Sequence, residues 1–162
     1  MFYNGLGSAL RGRGFEVVLH PFRKHPDAEI KLPTRSDNNS AGYDFYTPVD
    51  IVIEPQGRVL VWTDVKAYMQ DDEVLMLYIR SSIGVKKGVV LSNGTGVIDA
   101  SYYSNPDNDG RIGIALYNSS NEEVHISAGD RIAQGVFIKY LTVDDDTVVN
   151  KVRVGGFGSS GK

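Results

Sequence analysis

Short apolar runs, each closed by a cluster of glycine, proline, asparagine or aspartate, fill this 162-residue chain and leave it few ways to fold. Ile51–Ile53, Arg58–Trp62, Val74–Ile79, Arg111–Tyr117 and Arg131–Tyr140 are rich in β-branched, aliphatic and aromatic residues. Between them lie Glu54-Pro-Gln-Gly57, Asn105-Pro-Asp-Asn-Asp-Gly110 and Ser127-Ala-Gly-Asp130. Many short runs separated by turn chemistry predict an all-β sandwich or barrel. No long 3.6-residue periodicity competes. Ile112, Ile114 and Leu116 share one face at period two. In the following run, Ile132, Val136 and Ile138 share a face with Gln134. Only residues 81–87 read as a helix, with Ser81 as N-cap and Gly88 as its stop.

The chain divides into a leader arm (1–14), a β domain (15–140), and a linker and lid (141–162). In the leader, Arg11 and Arg13 read as part of a solvated arm, with contact to phosphate as the other reading. A net charge of −3 argues against broad nucleic-acid binding, so no nucleic-acid partner is expected. With no cysteine, disulfides and thiolate metal sites are excluded. No apolar run is long enough for a membrane helix, and the N-terminus lacks the pattern of a secretion signal. The expected location is therefore the cytoplasm, or the host cytoplasm for a phage-encoded copy.

The tail, Arg153-Val-Gly-Gly-Phe-Gly-Ser-Ser-Gly-Lys162, buries too little to order itself. It nevertheless carries one aromatic ring, free backbone N–H groups and a cation at each end, a set suited to closing over a flat ring and a phosphate chain. Four further segments stand out: Ala41-Gly-Tyr-Asp-Phe-Tyr46, Arg80-Ser-Ser-Ile-Gly84, Gly96-Val-Ile-Asp-Ala-Ser-Tyr102 and Gly129-Asp-Arg-Ile-Ala-Gln134. Arg80 supplies a guanidinium for phosphate oxygens, Ser81 opens a short helix whose N–H groups can meet an anion, and Gln134 adds a neutral donor. Taken singly, each segment also reads as an ordinary turn or strand end.

In this order, from about residue 30 to the C-terminus, the five segments resemble the motifs of the trimeric dUTPase family. The resemblance implies a jelly-roll-like barrel of the β-clip type with a flexible C-terminal arm. It implies a homotrimer with shared active sites, dUTP as substrate, and Mg²⁺ carried on the three phosphates. Asp99 is then the catalytic residue, orienting and deprotonating the water that attacks the α-phosphate. Ser81, Ser82 and Gln134 contact the phosphate chain, supported by Arg80. Asn93, Gly96 and Ile98 belong to the hairpin that reads uracil through its main chain. Tyr102 packs under the deoxyribose and leaves no room for a 2′-hydroxyl. Phe157 stacks on uracil, Arg153 meets the γ-phosphate, and Gly158, Ser159 and Ser160 donate from the closed tail. Asp44 acts on the metal region through water.

Two departures stand out. Ala100-Ser-Tyr-Tyr-Ser104 lacks the acidic residue and Arg-Gly pair usual around this tyrosine, and the tip at 105–110 is longer. Arg153 lies four residues before Phe157, whereas many members place it five before. The tip reads as a larger turn, with a partner-binding insertion as the other reading. The related dCTP deaminases carry a glutamate in the strand after the third motif; here Ala115 takes that place, and alanine cannot transfer a proton. The remaining alternative is a noncatalytic trimer that senses dUTP or docks a regulatory protein.

Overall fold

The computed structural model describes residues 11–146. In chain order its strands are β1 (Gly14–Val17), β2 (Thr34–Arg35), β3 (Tyr43–Tyr46), β4 (Ile51–Ile53), β5 (Arg58–Trp62) and β6 (Val65–Tyr68). They continue with β7 (Glu73–Ile79), β8 (Val89–Leu91), β9 (Gly96–Asp99), β10 (Gly113–Asn118), β11 (Val124–Ile126) and β12 (Arg131–Lys139). One α-helix, α1 (Ser81–Lys87), follows β7. All pairing is antiparallel and falls into four open sheets, ordered β2-β3-β12-β7-β9, β5-β10-β8, β1-β6 and β4-β11. The all-β expectation holds, although none of these sheets closes on itself.

The inward faces merge into one core. Leu75, Leu77, Phe45 and Ala133 come from the five-stranded sheet, and Ile114, Leu116 and Val61 from the three-stranded one. Ile112, Ile114 and Leu116 are all buried, as their spacing predicts. The strand itself starts later than the apolar run. Ile112 bonds outside the ladder instead, donating its N–H to Val65 O and accepting from Thr63 N.

The second periodicity fails at a single residue. Arg131 pairs with Tyr46 and Ala133 with Phe45, so Ile132 is an extra residue bulged out of register. Ile132 and Ala133 are therefore both fully buried. Beyond them the parity of β12 is reversed, because side chains alternate strictly along a strand. Ala133 and Gly135 face the core, while Gln134, Val136 and Ile138 face outward with Met76, Tyr78 and Val97 from β7 and β9. That outer face is apolar and open: Val97 is 57% exposed, Ile138 41% and Tyr78 37%.

The 105–110 tip does not project. Asn105, Asn108 and Asp109 are buried, which leaves Pro106 and Asp107 as its exposed residues. Asp109 accepts from Lys66 Nζ and from Leu19 N, both at 2.8 Å. Beside it, Tyr103 donates to Glu16 at 2.7 Å. Burial first, and then that hydrogen bond, push the Tyr103 phenol up to about 12, so it stays protonated as a donor.

Arg13 is not part of a solvated arm. Its guanidinium grips both carboxylate oxygens of buried Glu73, with Nε 3.0 Å from each. Gln70 N donates to the same carboxylate at 3.1 Å. The Arg13 hydrogen bond is the largest influence holding the Glu73 carboxyl below its usual 4.5. A depressed carboxylate stabilises the fold above its unfolded-state pKa and loses that contribution as pH falls through the folded-state value. Glu73→Gln is therefore expected to lower the urea midpoint at pH 7. Its gap from wild type should narrow once the pH is taken below 4.5, as measured by fluorescence-monitored unfolding across that range.

Candidate active site

Two groups of side chains stand on opposite flanks of β7, one on its β9 side and one on its β12 side. On the first flank, β9 pairs Asp99 with Val74 and Gly96 with Leu77, and a single-turn 3-10 helix (Ala100–Tyr102) follows. Here lies a cavity of about 170 Å³. Five residues anticipated from sequence line it together: Asn93, Gly96, Ile98, Asp99 and Tyr102. Leu77, Leu91 and Ala115 were not anticipated as its lining; they come from three other strands. Period-two alternation could have put Ala115 on one face of β10, but only strand pairing brings that face beside β9. The cavity thus has aliphatic and aromatic walls, and a carboxylate and a carboxamide as its polar groups, the usual make-up of a small-molecule site.

Tyr102 is seated from behind. Its hydroxyl donates to Arg111 O at 2.7 Å and accepts from Asn108 Nδ2 at 2.8 Å. Asn108 carries no motif signal in the sequence, and only the fold reveals its contact.

On the other flank of β7, Asp44 organises the second group. Gln134 lies opposite Asp44 on one side and Tyr78 on the other, so all three face outward. The Asp44 carboxylate is buried. Arg80 Nε lies 2.8 Å from one oxygen; Arg131 Nη1 at 3.3 Å and Ser36 Oγ at 3.1 Å meet the other. Asp44 therefore fixes two guanidinium groups, a job its place in the sequence did not reveal. Gly42 makes room for the neighbouring donor: a Cβ there would collide with Oε1 of Gln134.

Helix α1 starts from Arg80, which occupies the N-cap position without a side-chain cap bond. The expectation of Ser81 as N-cap is thus off by one residue, because the Asp44 pair holds Arg80 extended at φ −79° and ψ 141°. Ser81 and Ser82 form the exposed first turn, and Gly88 ends the helix with φ +66° as expected. Arg153, Phe157, Gly158, Ser159 and Ser160 lie outside the described residues.

The two groups do not meet within one chain. Gln134 and Asp99 reach β7 four residues apart and on opposite sides of it. At ~3.4 Å per residue and ~4.8 Å per strand, their Cα atoms are separated by about 16 Å. Among the described residues, no cluster of three or more His, Asp or Glu side chains is placed to hold a metal ion. No described helix is long and apolar enough to cross a membrane.

Comparison with known proteins points to one family. A family model for dUTPase matches residues 28–161. The deoxyuridine 5′-triphosphate nucleotidohydrolase of Lactococcus lactis is 47% identical over 150 residues, spanning 92% of this chain and 97% of its own. The crystal structure of dUTPase from Streptococcus mutans superposes with a TM-score of 0.71 at 43% identity, covering 81% of this chain and 98% of that one. The dUTPase of Staphylococcus bacteriophage 80alpha with dUPNHPP gives 0.66 at 26% identity, covering 93% and 98%.

Asp44→Asn should release both Arg80 and Arg131 at once. The expected loss of stability is about 1–3 kcal/mol, the usual range when a charge-assisted hydrogen bond is removed from a buried partner. Urea denaturation of the two proteins at neutral pH measures it.

Proposed function

Because the chain belongs to the dUTPase family and hydrolyses dUTP to dUMP and pyrophosphate, we propose a specific division of labour among its residues. The observation that carries the proposal is the cavity that gathers Asn93, Gly96, Ile98, Asp99 and Tyr102. Uracil lies in this cavity and is read by main-chain groups between Asn93 and Tyr102, while the deoxyribose rests on the Tyr102 ring. Asp99, at the cavity mouth, orients the attacking water and takes its proton as the bond to the α-phosphorus forms. Pyrophosphate leaves from the opposite side. Ala115 in the cavity wall offers no proton for deamination, which favours hydrolysis over the deaminase chemistry.

Arg80, Ser81, Ser82 and Gln134 receive the phosphate chain. Asp44 acts there by holding Arg80 and Arg131, since both of its oxygens are already engaged. The donor set fits Mg²⁺ held by substrate phosphates and water, as this ion keeps much of its hydration shell and needs no protein cage. When bound, it neutralises charge on the phosphates. From the tail, Phe157 stacks on uracil, Arg153 meets the γ-phosphate, and Gly158, Ser159 and Ser160 close over the chain, excluding water. In this scheme the β domain runs to residue 140 and takes in Arg13 and Gly14 from the expected 1–14 leader, 141–162 is the lid, and the enzyme works in the cytoplasm.

The working unit is a homotrimer with shared sites. A general base must lie within about 3 Å of the water it activates. Asp99 and Gln134 of one chain, about 16 Å apart by strand geometry, cannot flank one phosphorus. The exposed apolar face of Met76, Tyr78, Val97, Val136 and Ile138 provides the kind of surface that subunits cover.

Asp99→Asn is expected to cut dUTP turnover by about 10²–10⁴-fold, measured as pyrophosphate release with Mg²⁺. Retained activity in that variant removes Asp99 as the base. A second test mixes Asp99→Asn with Gln134→Ala subunits after unfolding and refolding them together. Sites shared between chains predict recovered activity, because some mixed trimers then hold one intact site; no recovery rules out sharing.

A further inference from the structure

We propose that Asn108 is a specificity-determining positioning residue, whose carboxamide fixes the Tyr102 ring and thereby sets the rejection of a ribose 2′-hydroxyl. This rests on the reading of Tyr102 as the sugar platform. The Tyr102 ring lines the cavity, but what holds it lies behind it. A phenol has one hydrogen to give, and here that hydrogen goes to Arg111 O while a lone pair accepts from Asn108 Nδ2. Together the two bonds anchor the ring at its far end.

Asn108 is itself held. Its Oδ1 accepts from Gly110 N at 3.0 Å and its backbone N donates to Asn105 O at 3.3 Å. It is only 9% exposed. Next in sequence, Asp109 pins the turn to the body of the domain through Lys66 and Leu19. Asp109 and Gly110 both have positive φ, at 59° and 81°. At Gly110 a Cβ would stand 2.6 Å from Tyr102 O, so the turn can close this tightly on Tyr102 only with glycine there. A continuous chain of contacts thus runs from Lys66 through Asp109 and Asn108 to the floor of the cavity.

The position of that floor matters for selectivity. An apolar wall rejects an added hydroxyl by only about 10²-fold, and a ring free to retreat rejects it less. The tip at 105–110, which in sequence looks like a longer turn, therefore acts as a buttress for the sugar contact.

The test compares kcat/KM for dUTP and UTP in the full-length enzyme with Mg²⁺. Asn108→Asp keeps the acceptor for Gly110 and the side-chain size but removes the N–H that reaches Tyr102. It should lower the preference for dUTP over UTP by about tenfold. Tyr102→Phe removes that bond together with the one to Arg111 O and should lower the preference at least as much. The double variant should be no less selective than Tyr102→Phe alone, since that variant already lacks the Asn108 bond. An unchanged preference in Asn108→Asp, with Tyr102→Leu reducing it, overturns the proposal and leaves the sugar platform standing. An unchanged preference in all variants, Tyr102→Leu included, overturns both. If Asn108→Asp does not fold, Asn108→Ala, which leaves the bond from Tyr102 to Arg111 O in place, decides instead: lost preference supports the proposal and intact preference overturns it.

Discussion

One inserted residue in β12 sets up the rest of this structure. Alternation along a strand is strict, so a single extra residue exchanges the two faces of everything beyond it. The bulge at Ile132 buries two neighbours in succession, Ile132 and Ala133, and then turns Gln134 outward opposite Asp44. Without it Gln134 would point into the core and lose its place beside the guanidinium groups. The same parity change brings Ala133 and Gly135 inward, next to Phe45 and Leu77, and sends Val136 and Ile138 to the outer face. Core packing, the polar group and the open apolar surface therefore share one geometric cause.

The two flanks of β7 divide the chemistry. A shaped cavity with one carboxylate lies on the β9 side, and a cluster built on a buried carboxylate and two arginines lies on the β12 and β3 side. Leaving Asp44 alone in an apolar setting would be costly, but two cations and a hydroxyl compensate it. In return Arg80 is held extended at the start of α1. This division underlies the proposal of sites shared between subunits, in which the apolar outer face is covered.

Some parts of this architecture could be read from residues alone, and others could not. Ile112, Ile114 and Leu116 announced their buried face, and Gly88 announced the end of the helix, because both signals are local. Arg13 looked like part of a solvated arm because its partner, Glu73, lies sixty residues away in sequence. The 105–110 tip looked only like a larger turn because the burial of Asp109 depends on Lys66, a residue from another strand. Asp44 looked like an adjunct to metal binding, since nothing nearby in sequence reveals its pairs with Arg80 and Arg131.

By itself, the amino-acid order determined the β class, the turn positions and the five segments that mark the family, since propensity, periodicity and short motifs act over a few residues. Tertiary structure alone decided which face Gln134 presents, which strands wall the cavity, what steadies Tyr102, and how far Asp99 stands from Gln134. Each of these depends on strand register and on partners remote in sequence. A single bulge can change them without altering the local pattern from which strands are read.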